Sequence, residues 1–199
     1  MPAPSWLTVD MLKSYVRSEL TVDDGFYDQA IVAGIEWMEN QTGRQWAVAS
    51  ASTARLFDSP GATSVLDIPD ATAITVVVDN SLTLTVDTQY RLYPLNGLSV
   101  TGHTVPYSRI IRMASGYETF WLNYGKPAQI SITATWGWTS IPPVILEACK
   151  IVAKDYFLQR DVAHSIIGLS DVGGVGTREN RLVNDAVNAY LHPSSIGVG

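Results

Sequence analysis

The feature that most restricts the fold is a change in the spacing of apolar residues. They recur every third or fourth position near both ends of the chain, and every second position in short runs between Gln45 and Trp136. Helix side chains return to one face after 3.6 residues and strand side chains after two, so the ends must be helical and the middle sheet-forming. The second border is abrupt. In WGWTSIPPVI, residues 136–145, a strand ends at Trp136, Gly137 supplies turn freedom, and the two prolines keep the preceding residues out of the helical region. Pro143 suits the first position of a helix, where its missing N–H costs nothing. The expected fold class is α+β: a small helical bundle of two N-terminal helices, one after Pro143 and one C-terminal, with a large antiparallel β insertion.

The first helix follows Thr8 through VDMLKSYVRSEL, with Leu12, Tyr15, Val16 and Leu20 as its apolar stripe. Thr8 is a suitable N-cap, and Leu7 and Leu12 stand at the positions of a hydrophobic staple. A second helix, capped by Thr21 or Asp23, presents Tyr27, Ala30, Ile31, Gly34, Ile35 and Met38 on one face and stops at Gly43-Arg44. Glycine is the usual left-handed terminator, and a cation suits the negative end of the helix dipole. The carboxylates Asp23, Asp24 and Asp28 read as a solvated helix start rather than a metal site. After Pro143, Val144, Ile145, Ala148, Ile151, Val152 and Tyr156 form the expected core stripe. Leu182, Val183, Val187 and Tyr190 do so in a last helix over Glu179–Leu191.

Seven strands are expected: Thr53–Phe57, Val65–Ile68, Ile74–Val78, Leu82–Val86, Tyr90–Tyr93, Ile110–Met113 and Gln129–Trp136. Asp79-Asn80-Ser81 marks a hairpin turn, because Asn and Asp tolerate positive φ. In QISITATW the apolar Ile130, Ile132, Ala134 and Trp136 alternate with hydroxyl residues, which buries one face and wets the other.

The residues offer little for catalysis, so the catalytic, cofactor and metal assignments are none. The single Cys149 lies on an apolar helix, where cysteine acts as a small hydrophobe and cannot form an intrachain disulfide. None of His103, His164 and His192 has a zinc-ligand spacing. The glycine-rich stretch within 168–178 lacks the Lys-Ser/Thr ending of a phosphate-binding loop and reads as a connector. MPAPSWLTVD carries no basic-then-apolar leader and no run is long enough to span a membrane, so neither standard export nor a membrane contact is expected.

With 13 Lys and Arg against 19 Asp and Glu, the net charge of −6 argues against a protein that neutralises phosphates. Charged residues make up 16% of the chain, below the ~25% usual in soluble domains. That balance suits a subunit of an assembly and equally a β-rich domain. Tyr117, Phe120, Trp121 and Tyr124 cluster in a turn-rich stretch. They could pack on the chain's own sheet, contact another subunit, or stack on sugar rings as in a carbohydrate-binding module, and an enzyme ranks behind all of these readings.

The order of helix, helix ending in ENQTGRQW, β-rich middle, and ATWGWTSIPPVILEACKIVAKDYFLQRD resembles the head-tail connector, or adaptor, proteins of long-tailed bacteriophages. The likeness covers residues 5–46 and 130–160. It departs in the middle, which is larger than the hairpin of many relatives, and in the glycine-rich connector. The resemblance implies one connector domain over 1–199, with a helical frame at 5–46 and 141–191, a β-rich insertion at 47–138 and a mobile tail at 193–199. It implies a structural, non-enzymatic role in the virion neck, reached by assembly in the host cytoplasm. The partners implied are a self-assembled ring of about twelve subunits, the portal protein, and a stopper or tail-completion protein, with DNA passing through unbound. Tyr117, Phe120, Trp121, Tyr124, Ile196 and Val198 are the expected partner contacts.

Overall fold

The computed structural model describes residues 6–17, 23–61, 63–95, 97, 104–114, 117–121, 127–162 and 180–195. The chain forms two compact units, Met1–Arg44 with Ile141–Ser195, and Gln45–Ser140.

The first unit is helical: α1 (Val9–Val16), α2 (Asp24–Thr42), α3 (Pro143–Val162) and α4 (Arg181–Ala189), with a 3-10 turn at Pro193–Ser195. Thr8 caps α1, its Oγ1 accepting the Met11 N–H at 3.3 Å, and Leu7 and Leu12 are both fully buried. The helix stops earlier than its pattern predicts, with Arg17 in the left-handed region at φ 60°. All six residues expected on the inner face of α2 are buried. Gly43 ends that helix at φ 66°, its N–H bonded to Glu39 O at 2.8 Å. Pro142 O accepts the Ile145 and Leu146 N–H groups, so α3 begins at Pro143 as its sequence dictates.

Helices α2 and α3 meet at a glycine. A Cβ on Gly34 would stand 3.0 Å from the backbone nitrogen of Ala153, an approach only glycine permits without displacement. Nearby, Tyr27 stacks on Phe157 with ring centroids 4.1 Å apart. Three stripes are rotated from the expected ones. Tyr15 on α1 is 40% exposed and sits beside Lys154. On α3, Val144 and Tyr156 are exposed while Cys149, Ala153 and Phe157 are buried. On α4, Leu182 faces solvent and Ala186 is buried. Apolar spacing marks a helix as amphipathic but does not say which neighbour its face turns toward, and the residues turned inward on α3 and α4 include Cys149, Ala153, Phe157 and Ala186.

The second unit is one antiparallel sheet with strand order β1-β7-β2-β5-β4. Its strands are β1 (Ser52–Phe57), β2 (Val65–Asp79), β3 (Leu82–Thr83), β4 (Tyr90–Tyr93), β5 (Tyr107–Ala114), β6 (Tyr117–Glu118) and β7 (Ile130–Trp136); β3 pairs with β2 and β6 with β5. The two runs expected at 65–68 and 74–78 are one long strand. It serves both halves of the sheet, pairing with β5 through Val65–Ala71 and with β7 through Ala71–Asp79. Its register against β7 skips Thr72 and Thr75, and these hydroxyls donate to Thr135 O at 3.1 Å and Thr133 O at 3.0 Å. Each bulge increases local twist, and here a threonine supplies a bond at the irregular position.

Asn80 and Ser81 turn the β2–β3 hairpin with φ of 48° and 69°, the pair of positive values that matches strand twist. Asp79 stands just before that turn, inside the sheet. The expected strand 82–86 continues only as far as Thr83; Leu84 is buried and Val86 makes an isolated bridge to Tyr90. The core of this unit joins Leu66, Ile68, Val77, Ile110, Ile132 and Trp136.

The WGW step has its own architecture. Gly137 adopts φ 111°, and a Cβ there would meet Ala47 O at 2.5 Å. Trp138 stacks on Trp46 with centroids 4.9 Å apart, and its indole N–H donates to Asp70 Oδ2 at 3.0 Å.

Candidate functional site

The aromatic stretch is the first place to look for function, and its members have different positions. Trp121 is only 3% exposed and packs in the core of the sheet, where its indole N–H donates to Ser64 O at 2.9 Å. Of the three readings open to it, Trp121 takes packing on its own sheet, which leaves neither ring face for a sugar. Phe120, its neighbour, is 63% exposed. Tyr117 lies in β6, a strand its sequence did not announce. Tyr124, Ile196, Val198 and the glycine-rich 168–178 lie outside the described residues.

The titratable groups are structural in their placement. Burial, reinforced by the charge of Glu39, pushes the Cys149 thiol up to about 12, which removes the thiolate a nucleophile requires. His192 is buried; its backbone N–H donates to Thr42 O at 2.7 Å and its ring Nδ1 lies 2.6 Å from Ser194 Oγ. His103 and His164 lie outside the described residues. Among the described residues no three His, Cys, Asp or Glu side chains gather as a metal site, and no helix is long and apolar enough to cross a membrane.

Two charged groups have roles that periodicity did not reveal. Arg44, expected to complement the dipole of α2, reaches further: its Nε donates to Tyr190 O at 2.6 Å and its Nη2 to Leu191 O at 3.4 Å. It thereby satisfies carbonyls that the end of α4 leaves unpaired. Arg112 lies inside the sheet with its Nε 3.5 Å from Asp79 Oδ2, while its Nη1 donates to Gln89 O and Met113 O. Arg112 shares the inward face of β5 with Ile110, so strict alternation was the available signal for a buried cation.

The surface also divides along the sheet. On the outward face, β5 and the first half of β2 carry an ion pair, Arg109 Nε to Asp67 Oδ1 at 2.6 Å. Across β1, β7 and the second half of β2 the same face holds Ala54, Leu56, Ser131, Thr133, Val76 and Val78, none of them charged. Leu56 is 66% exposed and Val76 39%.

Three solved structures similar to this chain come from gene transfer agent (GTA) particles. A chain in the neck of the native GTA particle computed with C12 symmetry superposes with a TM-score of 0.55 at 14% identity, covering 94% of this chain and 89% of its own. A chain in the neck of the empty GTA particle computed with C6 symmetry gives 0.56 at 16% identity, with 94% and 90% covered. A chain of the virion of the native particle gives 0.53 at 18% identity, with 96% and 92% covered. No protein-family model and no curated protein matches the sequence. At these identities the likeness is one of fold, and it agrees with the connector resemblance carried by the helical frame.

Proposed function

We propose that the chain is a structural neck protein: a ring-forming head-tail adaptor that docks on the portal and offers a platform to a stopper or tail-completion protein. The observation that carries this reading is the extent of the fold match. Chains from particle necks computed with C12 and C6 symmetry share the architecture over 94% of this chain, the β-rich middle included. The helical frame, the β insertion and the C-terminal tail act in this reading as one connector domain of about twelve copies per ring. It resides in the virion neck after assembly in the host cytoplasm.

DNA passes through such a ring and must not be held. A net charge of −6 supports that, because clustered cations are what grip phosphates. Affinity of the isolated chain for duplex DNA is expected to be negligible at low salt and unchanged at high salt. Phe120 is the aromatic most available to a partner; Tyr117, Tyr124, Ile196 and Val198 complete the proposed contact set, without Trp121. A non-enzymatic role fits the protonated, buried Cys149.

Electron microscopy of the chain mixed with its own portal particles tests the proposal. A ring of added density on the portal is expected. A chain that stays in solution at saturating concentration, with bare portals beside it, would reject the assignment.

A further inference from the structure

An edge strand leaves one row of backbone N–H and C=O groups unpaired, and proteins usually blunt that row with proline, a bulge, an outward charge or a covering segment. Among the described residues β1 has none of these. Its sequence is STARLF, its register against β7 is unbroken over six pairs, and Ser52 to Leu56 are all exposed. Among the described residues no strand pairs with its outer side. Its one charge, Arg55, is turned to the inward face and lies 4.6 Å over the Trp136 ring. The opposite edge differs: on β4, Tyr90 is buried and Leu92 and Tyr93 are half-buried.

The open edge adjoins the uncharged part of the outward face, where Leu56 and Val76 are exposed. The far part of that face carries Asp67, Arg109 and the exposed Arg91, as a solvated surface does. Loss of charge is therefore confined to the half beside the open edge, and interface centres are depleted in charge in the same way.

We propose that the outer edge of β1, with the uncharged face beside it, receives an extended segment of the next copy of this chain. The inference rests on the ring assignment above and adds the surface that closes the ring. Unpaired backbone groups of a strand are best satisfied by another strand, which gives affinity through main-chain bonds and specificity through side-chain seats. The occupant is a second copy because this fold occurs in necks computed with C12 symmetry, where each position has an identical neighbour. A closed ring uses heterologous contacts. β1 must therefore meet a different element of its neighbour, since β1 against β1 would be two-fold and would stop at a dimer.

The test compares the wild-type chain with Leu56→Asp, a position whose exposure leaves the fold intact, both free and on portal particles. Hydrogen exchange of the amides 52–57 should slow by about tenfold or more on ring formation as outward N–H groups become protected. L56D should melt like the wild type, fail to close rings, and still join the end of a wild-type arc through its unaltered second surface. Wild-type rings with unchanged exchange in β1, or L56D rings at wild-type concentrations, would overturn the inference and leave the adaptor reading standing. Exclusion of L56D from mixed arcs, or a wild-type species that stops at a β1–β1 dimer, would overturn the head-to-tail arrangement. Protection of β1 in a monomeric chain by a tail protein would assign the edge to another occupant. Absence of any wild-type ring, on portals included, would remove this inference and the adaptor assignment together.

Discussion

The helical unit and the sheet unit handle buried polar groups differently. In the helical unit the buried polar residues Thr42, Arg44 and His192 lie at or just beyond helix ends, where unpaired backbone groups need partners, and Lys13 on α1 pairs with the half-exposed Asp24. Its interior is apolar, closed by the Gly34 approach and the Tyr27–Phe157 stack. The sheet unit brings Asp70, Asp79, Ser108 and Arg112 inside, each seated by strand register. The difference concerns tolerance: an apolar interface accepts substitutions that preserve volume, whereas a buried charge accepts only the partner its neighbours were placed to supply.

Substitutions in the two units should differ in cost accordingly. Four of the six tryptophans, Trp46, Trp121, Trp136 and Trp138, belong to the sheet unit, so their fluorescence follows it while circular dichroism at 222 nm follows the helices. Arg112→Met should have the largest effect, about 3–5 kcal/mol, because it leaves the Asp79 carboxylate buried without its cation. A loss below ~1 kcal/mol in the fluorescence-detected urea transition would mean that the sheet unit tolerates change as readily as the helices. Gly137→Ala should cost about 3 kcal/mol, combining left-handed strain with a clash against the Ala47 carbonyl. An unshifted midpoint there would deny the WGW step its structural role.

In the helical unit, Gly34→Val should cost about 1–3 kcal/mol by forcing α2 from α3, read as a lowered midpoint at 222 nm. A loss larger than that of Arg112→Met would reverse the ranking of the two units. Thr8→Ala should cost about 1 kcal/mol through loss of the cap. Its effect should appear as faster amide exchange in α1 before it is visible in the global melt, and unchanged exchange across α1 would argue that the cap bond is idle.

The helices and most strands were legible because local periodicity and terminators act over a few residues. The six inward residues of α2, the Gly43 stop and the Pro143 start all stand where their spacing puts them. The expected stripe positions Tyr15, Val144, Tyr156 and Leu182 were exposed instead, because apolarity does not say which neighbour a helix turns toward. β2 looked like two runs because Pro69 and the bulge threonines interrupt alternation, although the backbone continues through them. Of the expected contact residues, Trp121 was the hardest to place. Its burial depends on Ser64, 57 positions away, and no local pattern encodes that hydrogen bond.

What the sequence alone determined was the class of each segment, where most of them begin and end, and the resemblance of the helical frame to connector proteins, since all of these depend on contacts between residues close along the chain. Only the tertiary structure decided that Arg112 meets Asp79 across a sequence separation of 33, that Arg44 holds the end of α4, and that among the described residues β1 is left as an open edge beside an uncharged face. Those outcomes depend on which strand lies next to which, and pairing order is set by closure of the whole sheet, a property no single segment carries.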